Sequence, residues 1–314
     1  MKLQFLMCGE ADDAFFSQAA MFRLALDSHG GDHAGARMTL CLGSTPLAEV
    51  PERWRRPLRN IELRWLAAGR KPGEDDLAQS MLTYESIAPD ADVAIICDAD
   101  TLLVRPLAEA FLREMVEAPA LAGTIAHFAP PLKDTRKPPP KPIVSTAMLW
   151  EELSQRVLGR PVDMSYRYTL RRESDPPDEP CPFYINLGVV IATPAIFARF
   201  HAQHREVIPV VREVLENRFY EQISVPFAAA RAGVPQRVLP MRFNFPNDPL
   251  AEVAYPDEAA AIIQLHYMRT KAFHRHRIFA DRGSFETFMG LDLQGSNMVF
   301  QQAVREATDG RYPF

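Results

Sequence analysis

The run Val93-Ala94-Ile95-Ile96-Cys97 constrains this chain more than any other stretch, because Asp98-Ala99-Asp100 closes it on the carboxyl side. A short apolar run rich in Val and Ile, bounded by turn residues, has the pattern of a strand buried in a parallel sheet. In open α/β sheets, ligands bind beyond the carboxyl ends of such strands. Two carboxylates at that edge are placed to hold a hard divalent cation, which prefers oxygen ligands. Asp90-Ala91-Asp92 has the same spacing at the amino end of the strand, so position rather than spacing distinguishes the second pair. The plain alternative for Asp98 and Asp100 is a strand-end turn with solvated carboxylates.

The neighbouring segments fit the same architecture. Leu3 to Cys8 reads as a strand, followed by the acidic turn Gly9-Glu10-Ala11-Asp12-Asp13 and a helix over Ala14 to Leu26. Met38 to Leu42 and Ile61 to Leu66 are further strands, and Asp76 to Ile87 is helical. Strand–helix alternation of this kind implies a parallel sheet with covering helices, an α/β fold. Pro-rich and basic sequence then occupies 130–182, read as an insertion over the sheet with one helix, Thr146 to Leu158. Its Tyr166 and Tyr168 are compatible with facing a sugar and equally with packing. Beyond it come a strand over Tyr184 to Ile191, helices over Ala195 to Leu215 and Glu221 to Ala232, and strands at Arg237 to Pro240 and Ala261 to Leu265. A helical tail is expected from Ser284 to Ala307. The expected organisation is one domain: a nucleotide-binding half (1–129), the insertion or lid (130–182), an acceptor and catalytic half (183–270) and a C-terminal tail (271–314).

Bulk properties exclude several classes. A net charge of -5 and a pI near 5.9 argue against a general nucleic-acid binder, which carries a basic excess. The four cysteines are widely spaced without a CxxC pair and read as reduced core residues. No apolar stretch approaches the ~20 residues that span a bilayer. The first strand begins within a few residues of Met1, which leaves no room for a signal peptide. A soluble cytoplasmic protein is expected, with peripheral attachment at a membrane surface compatible with the sequence.

A second signal is His266, which ends the strand Ile262 to Leu265. Two carboxylates and one imidazole at strand ends make a three-ligand site for Mn²⁺ or Mg²⁺, and the imidazole shifts preference towards Mn²⁺. In order along the chain stand Ile95-Ile96-Cys97-Asp98-Ala99-Asp100, Tyr184-Ile185-Asn186-Leu187-Gly188-Val189, Glu221-Gln222, Leu239-Pro240-Met241-Arg242-Phe243-Asn244 and Ile263-Gln264-Leu265-His266-Tyr267. This ordered set resembles the metal-dependent, nucleotide-sugar glycosyltransferases of the GT-A fold, most nearly family 8, the group of glycogenin and bacterial lipopolysaccharide galactosyltransferases. The resemblance covers most of the chain outside the Pro-rich insertion.

The resemblance implies that Asp98, Asp100 and His266 ligate the metal, with Asp98 and Ala99 also near the donor ribose. Cys8, Gly9, Glu10 and Asp12 occupy the place of the turn that holds the base and ribose, without a close motif match. Asn186 and Gly188 would line the sugar pocket, Gly188 because a missing side chain permits close approach. Gln222 would face the sugar opposite the leaving diphosphate, beside Glu221, where much of the family has the shorter Asp. The family's His-x-x-Gly-x-x-Lys-Pro-Trp run is here His266-Tyr267-Met268-Arg269-Thr270-Lys271-Ala272-Phe273. Lys271, or alternatively Arg269, would neutralise the β-phosphate. The plain reading of both is an exposed basic tail, in keeping with the following His274-Arg275-His276-Arg277.

The reaction implied is transfer of a sugar from a nucleoside diphosphate, most commonly UDP in this family, to an acceptor hydroxyl with retention of configuration. The acceptor could be a glycan, a lipid-linked glycan or a protein. Two rivals stand beside it. One is a non-catalytic sugar-nucleotide-binding module of the same fold, to which Glu221 and the altered basic run give weight. The other is a haloacid-dehalogenase-type phosphatase, against which Leu102 and the late position of the Asp pair both count.

Overall fold

The computed structural model describes residues 1–43, 50–66, 75–132, 143–171, 178–268 and 270–314. Pro138-Pro139-Pro140, Pro142, Pro176-Pro177 and Arg269 lie outside them. The chain divides into two compact units, Met1–Glu117 together with Pro240–Phe314, and Ala118–Leu239.

The first unit opens with strand β1 (Leu3–Gly9), buried at every residue but Cys8. Asp12 turns the chain by accepting the Phe15 N–H at 3.0 Å, which caps helix α1 (Asp13–His29). Such a side chain satisfies one of the amides that a helix start leaves without a partner. Strand β2 (Arg37–Leu42), the short helix α2 (Glu52–Arg55), strand β3 (Glu62–Trp65), helix α3 (Asp75–Glu85) and strand β4 (Val93–Cys97) follow. The strands lie in the order β4-β1-β2-β3, every pair parallel. The register sets Met7 against Cys97, so Cys8-Gly9 and Asp98 emerge at the same carboxyl edge. Strand β5 (Thr101–Leu103) and helix α4 (Glu109–Glu117) complete this segment.

The second unit contains strand β6 (Leu121–Ile125), helix α5 (Thr146–Leu158), strands β7 (Tyr166–Arg167), β8 (Pro180–Cys181) and β9 (Ile185–Ala192), helices α6 (Pro194–Val214) and α7 (Tyr220–Ala232), and strand β10 (Gln236–Val238). β10 runs parallel to β6, and β6 antiparallel to β9. α5 starts on Ser145, whose hydroxyl accepts the Met148 N–H, and stops at Gly159, whose φ of 65° a β-carbon would disfavour. It buries Leu149, Trp150 and Leu153, so the stretch read as an insertion contributes large side chains to this unit's core. Tyr168 accepts the Trp150 indole N–H at 3.2 Å, and Tyr166 packs on Phe183.

The chain returns to the first unit through strand β11 (Phe245–Pro246), helices α8 (Pro249–Ala254) and α9 (Pro256–Ala260), strand β12 (Gln264–His266), and helices α10 (Arg282–Met289) and α11 (Gly295–Thr308). The strand expected over Ala261 to Leu265 begins later, because the Ile263 N–H turns aside to the Arg242 carbonyl. The tail expected as one helix is two. Gly290 closes the first by donating to the Glu286 carbonyl, and a short link ending at Gln294 starts the second. Among the described residues no helix is long and apolar enough to cross a membrane.

His204 of α6 joins this helix to α7. It is fully buried, stacks on Phe200 with ring centroids 4.8 Å apart, and donates from Nε2 to the Glu221 carbonyl at 3.0 Å. Burial pushes its pKa down to about 4, outweighing the hydrogen bond. The unfolded chain, with an ordinary histidine near 6.5, therefore takes up a proton that the folded chain refuses. Stability should fall as pH drops from about 6.5 to 4, by up to about 3 kcal/mol from this residue alone. Denaturant titrations at pH 7 and pH 5 should show a smaller acid loss in His204→Gln, which keeps an amide donor for Glu221. An equal loss in both proteins would show that His204 does not set this limb.

Candidate active site

The Asp98-Ala99-Asp100 turn is held by backbone before any side-chain chemistry begins. The Thr101 N–H and hydroxyl both donate to the Asp98 carbonyl, at 3.2 and 2.8 Å. β12 pairs antiparallel with β5, setting His266 directly opposite Thr101. One residue further on, the Tyr267 N–H donates to the Asp100 carbonyl at 3.0 Å and its hydroxyl to the Ala99 carbonyl at 3.3 Å. Behind the turn, the buried Gln264 amide donates to Thr101 Oγ1 at 2.9 Å and to Cys97 Sγ at 3.1 Å. Burial pushes the Cys97 thiol up to about 12, so it stays a neutral packing group.

This pairing brings His266 onto the two carboxylates. The ring is 1% exposed, and Nε2 lies 3.1 Å from Asp100 Oδ1 and 3.6 Å from Asp98 Oδ2. Nδ1 lies 3.1 Å from Asn244 Oδ1, so the Nδ1–H donates to that amide oxygen and Nε2 is aimed at the acids. Asn244 is itself fixed by the short 3-10 turn Met241–Phe243, anchored by the two-pronged pairing of Arg242 with Glu258 at 2.8 and 2.6 Å. Burial alone would lower the His266 pKa, but Asp100 and then Asp98 overcome it and raise it. Burial would likewise raise Asp100; the facing His266 and Arg275 hold it down at about 2. Asp100 is therefore an ionised, acceptor-only group across the neutral range.

One donor atom from each of Asp98, Asp100 and His266 falls within 4.8 Å of the others. Ions of this class form bonds of about 2.1 Å, which places neighbouring ligand atoms about 3 Å apart. The separations of 3.1 and 3.6 Å from Nε2 match such a set. The donors fit a divalent cation, and the imidazole favours Mn²⁺ over Mg²⁺. An outer hydrogen bond that orients a ligating histidine, here from Asn244, is the usual companion of such a site.

Arg275 enters the same site. Its Nη1 lies 2.5 Å from Asp100 Oδ2, its Nε donates to His276 Nε2 at 2.9 Å, and its carbonyl accepts from Gln18 at 3.3 Å. Burial and the adjacent guanidinium lower the His276 pKa, which keeps that ring available as an acceptor. The segment is pinned by Phe273, Phe279, Phe288 and Phe300, packed around Tyr267. A run readable as an exposed basic tail is thus partly anchored, with Arg275 drawn inward. Lys271 is exposed, and Arg269 is outside the described residues. The sequence signals for Asn244 and Arg275 are weak: Asn244 ends the run Leu239-Pro240-Met241-Arg242-Phe243-Asn244, and Arg275 is one of several adjacent basic residues.

At the carboxyl end of β1, Gly9 is buried, and a β-carbon there would strike the Phe15 ring at 2.1 Å. Glu10 accepts from the Gln79 amide at 3.0 Å, while Asp12 is the exposed cap of α1 and Cys8 is half-buried. Ala99 is buried in the turn. In the second unit, Asn186 Oδ1 accepts the Gly188 N–H at 2.8 Å at the start of β9. Glu221 and Gln222 are half-buried in the first turn of α7. Pro226, four residues beyond Gln222, has no N–H to offer, so the Gln222 carbonyl lacks its normal helical donor.

No protein-family model matches this sequence, and no curated protein matches it significantly. Solved structures do. The apo structure of the bifunctional glycosyltransferase WbbM superposes with a TM-score of 0.53 and 11% identity, over 86% of this chain and 46% of that one. This chain therefore spans about half the length of that neighbour. The galactosyltransferase LgtC in complex with donor and acceptor sugar analogues gives a TM-score of 0.51 and 14% identity, over 96% of this chain and 95% of LgtC. An active-site mutant of LgtC gives 0.51 and 13% with the same coverage. This chain has the GT-A fold. The expected α/β architecture, a central and mostly parallel sheet flanked by helices, is the one found. Asp98, Asp100 and His266 sit within it at strand ends.

If Asn244 aims the His266 ring, Asn244→Ala should weaken Mn²⁺ binding by about 10- to 100-fold while the thermal transition stays cooperative. Calorimetric titration of Mn²⁺ checks this. Unaltered affinity would show that the ring is fixed by packing alone.

Proposed function

We propose that this protein is a metal-dependent glycosyltransferase that moves a sugar from a nucleoside-diphosphate donor, of the UDP-sugar class, to an acceptor hydroxyl with retention. The observation that carries the reading is the three-donor cluster of Asp98, Asp100 and His266 at the strand ends of a GT-A fold. Mn²⁺ suits the two carboxylates and imidazole best, with Mg²⁺ second. A divalent cation there supplies electrostatic stabilisation of the leaving diphosphate.

The residues then take distinct tasks. Asp98 and Asp100 provide charge, and His266 provides a nitrogen once its Nε2 proton is released. Cys8 and Gly9 end β1, and Glu10 and Asp12 follow it, at the edge where the base and ribose would lie, with Ala99 beside the ribose. Asn186, Gly188, Glu221 and Gln222 are assigned to the sugar by motif order, Gln222 with a backbone carbonyl that Pro226 leaves open. In the reaction, the bond from the anomeric carbon to the diphosphate oxygen breaks and the bond to the acceptor oxygen forms on the same face. The acceptor proton passes to the departing phosphate, so no separate side-chain base is needed. Lys271 or Arg269 was the cation expected at the β-phosphate, and either would add fixed positive charge there. Localisation in the cytoplasm, with or without peripheral membrane attachment, belongs to this proposal.

Incubation with Mn²⁺ and a panel of UDP-sugars should release UDP, faster with a suitable glycan acceptor. Asp100→Asn should abolish Mn²⁺-dependent binding of UDP and reduce turnover by at least about a hundredfold, with the fold retained. Metal-dependent turnover unchanged in that variant would remove the assignment. Gln222→Ala should lower kcat at least tenfold while altering UDP affinity less than about threefold; equal losses would reduce Gln222 to a packing residue. UDP binding without hydrolysis or transfer for any sugar nucleotide would instead favour the non-catalytic binding module.

A further inference from the structure

Asp100 is claimed twice. One oxygen faces His266 Nε2 at 3.1 Å and the other faces Arg275 Nη1 at 2.5 Å. A divalent cation seated by Asp98, Asp100 and His266 would therefore share this single carboxylate with a guanidinium. Two positive charges on one carboxylate repel, and beside the buried Asp100 and His266 the repulsion is felt more strongly than at an open surface. Arg275 cannot relieve the conflict by losing its proton, because a guanidinium stays charged at any ordinary pH. It can relieve it by moving. Its side chain is 36% exposed, and among the described residues its other side-chain hydrogen bond runs to the His276 ring. A planar guanidinium also matches phosphate oxygens with two parallel donors, which an ammonium cannot do.

We infer that Arg275 is the coupling residue between metal and donor: it competes with the divalent cation for Asp100, and it turns to the diphosphate when a nucleoside diphosphate arrives. This rests on the proposed metal-dependent reading of the site. Metal alone must bind against Arg275, whereas metal with a nucleoside diphosphate binds beside an anion that accommodates both cations. Each ligand then raises the affinity of the other, as linkage requires. The guanidinium would then act at the diphosphate beside the cation that motif position assigns to Lys271 or Arg269.

The full-length protein tests this with Mn²⁺ followed by electron paramagnetic resonance and UDP followed by calorimetry. In Arg275→Gln, Mn²⁺ alone should bind at least about tenfold tighter than in the wild type. At saturating Mn²⁺ the same variant should bind UDP at least about tenfold more weakly. Arg275→Lys keeps the charge and should stay near the wild type for Mn²⁺ alone, while recovering only part of the UDP affinity. Arg277→Ala, an exposed cation of the same run, should change neither quantity by more than about twofold. Mn²⁺ binding by Arg275→Gln that is unchanged or weaker overturns the inference, as does unchanged UDP affinity. No Mn²⁺ binding by the wild type or by Arg275→Gln, with or without UDP, would instead overturn the metal-dependent reading beneath it.

Discussion

The antiparallel pairing of β5 with β12 is the contact on which the rest of the site depends. A parallel sheet delivers Asp98 and Asp100 to its carboxyl edge but has no means of delivering a histidine 166 residues away. Three residues of β12 do so by lying against three residues of β5, with His266 opposite Thr101. So short a pair contributes few ladder bonds. Its security comes from burial: Leu102, Leu103 and Leu265 are all at or below 1% exposure, and the buried Gln264 amide donates to Thr101 Oγ1 and Cys97 Sγ behind the turn. A buried polar group left unsatisfied costs about 1–3 kcal/mol, which makes a one-residue slip of β12 expensive in several places at once.

Electrostatics builds on that frame. Asp100, 8% exposed, is a buried anion of a kind tolerated only when paired. His266 and Arg275 supply that pairing from opposite sides of the carboxylate. The same arrangement makes the site responsive, since any cation that binds Asp100 must displace or repel a positive group already there. Asp98 is different, with its side chain about half exposed. The two acids are close neighbours in sequence, yet Asp100 pairs with both His266 and Arg275 while Asp98 approaches His266 at 3.6 Å.

Much of this was legible from residue pattern, and the failures have identifiable causes. Val93–Cys97 and Thr146–Leu158 have the bounds their sequences predict, because a continuous apolar run between turn residues and a Ser-capped, Gly-terminated helix carry their own end signals. β5 was invisible as a strand: three residues straight after a turn show no period, and only β12 gives them a partner. β6, with the composition Leu-Ala-Gly-Thr-Ile, lacks the β-branched density that marked β4. The tail was read through a break because Leu291 and Leu293 continue an apolar rhythm across it, although Gly290 ends the helix. For the site, ligand identity could be read from residue type and strand position. Arg275 could not, because which of several adjacent cations turns inward is decided by Phe273, Phe279 and the tertiary packing around Tyr267.

The ionisation of Asp100 also separates the rival chemistries. Phosphoester hydrolysis through an Asp-x-Asp pair needs one carboxylate to attack and a second acid to protonate the departing oxygen. A general acid works best when its pKa lies near the operating pH. Asp100, held at about 2 by His266 and Arg275 against the opposing effect of burial, carries no proton to give at neutral pH. His266 and Arg275 each hold it down, and the frame that positions His266 is the frame that holds the turn. A permanently ionised acid is well matched to cation binding and to charge pairing, and sugar transfer with the leaving phosphate as base asks for nothing more of it. The pairing of Asp100 with His266 and Arg275 thus suits a cation-binding role better than that of a proton donor.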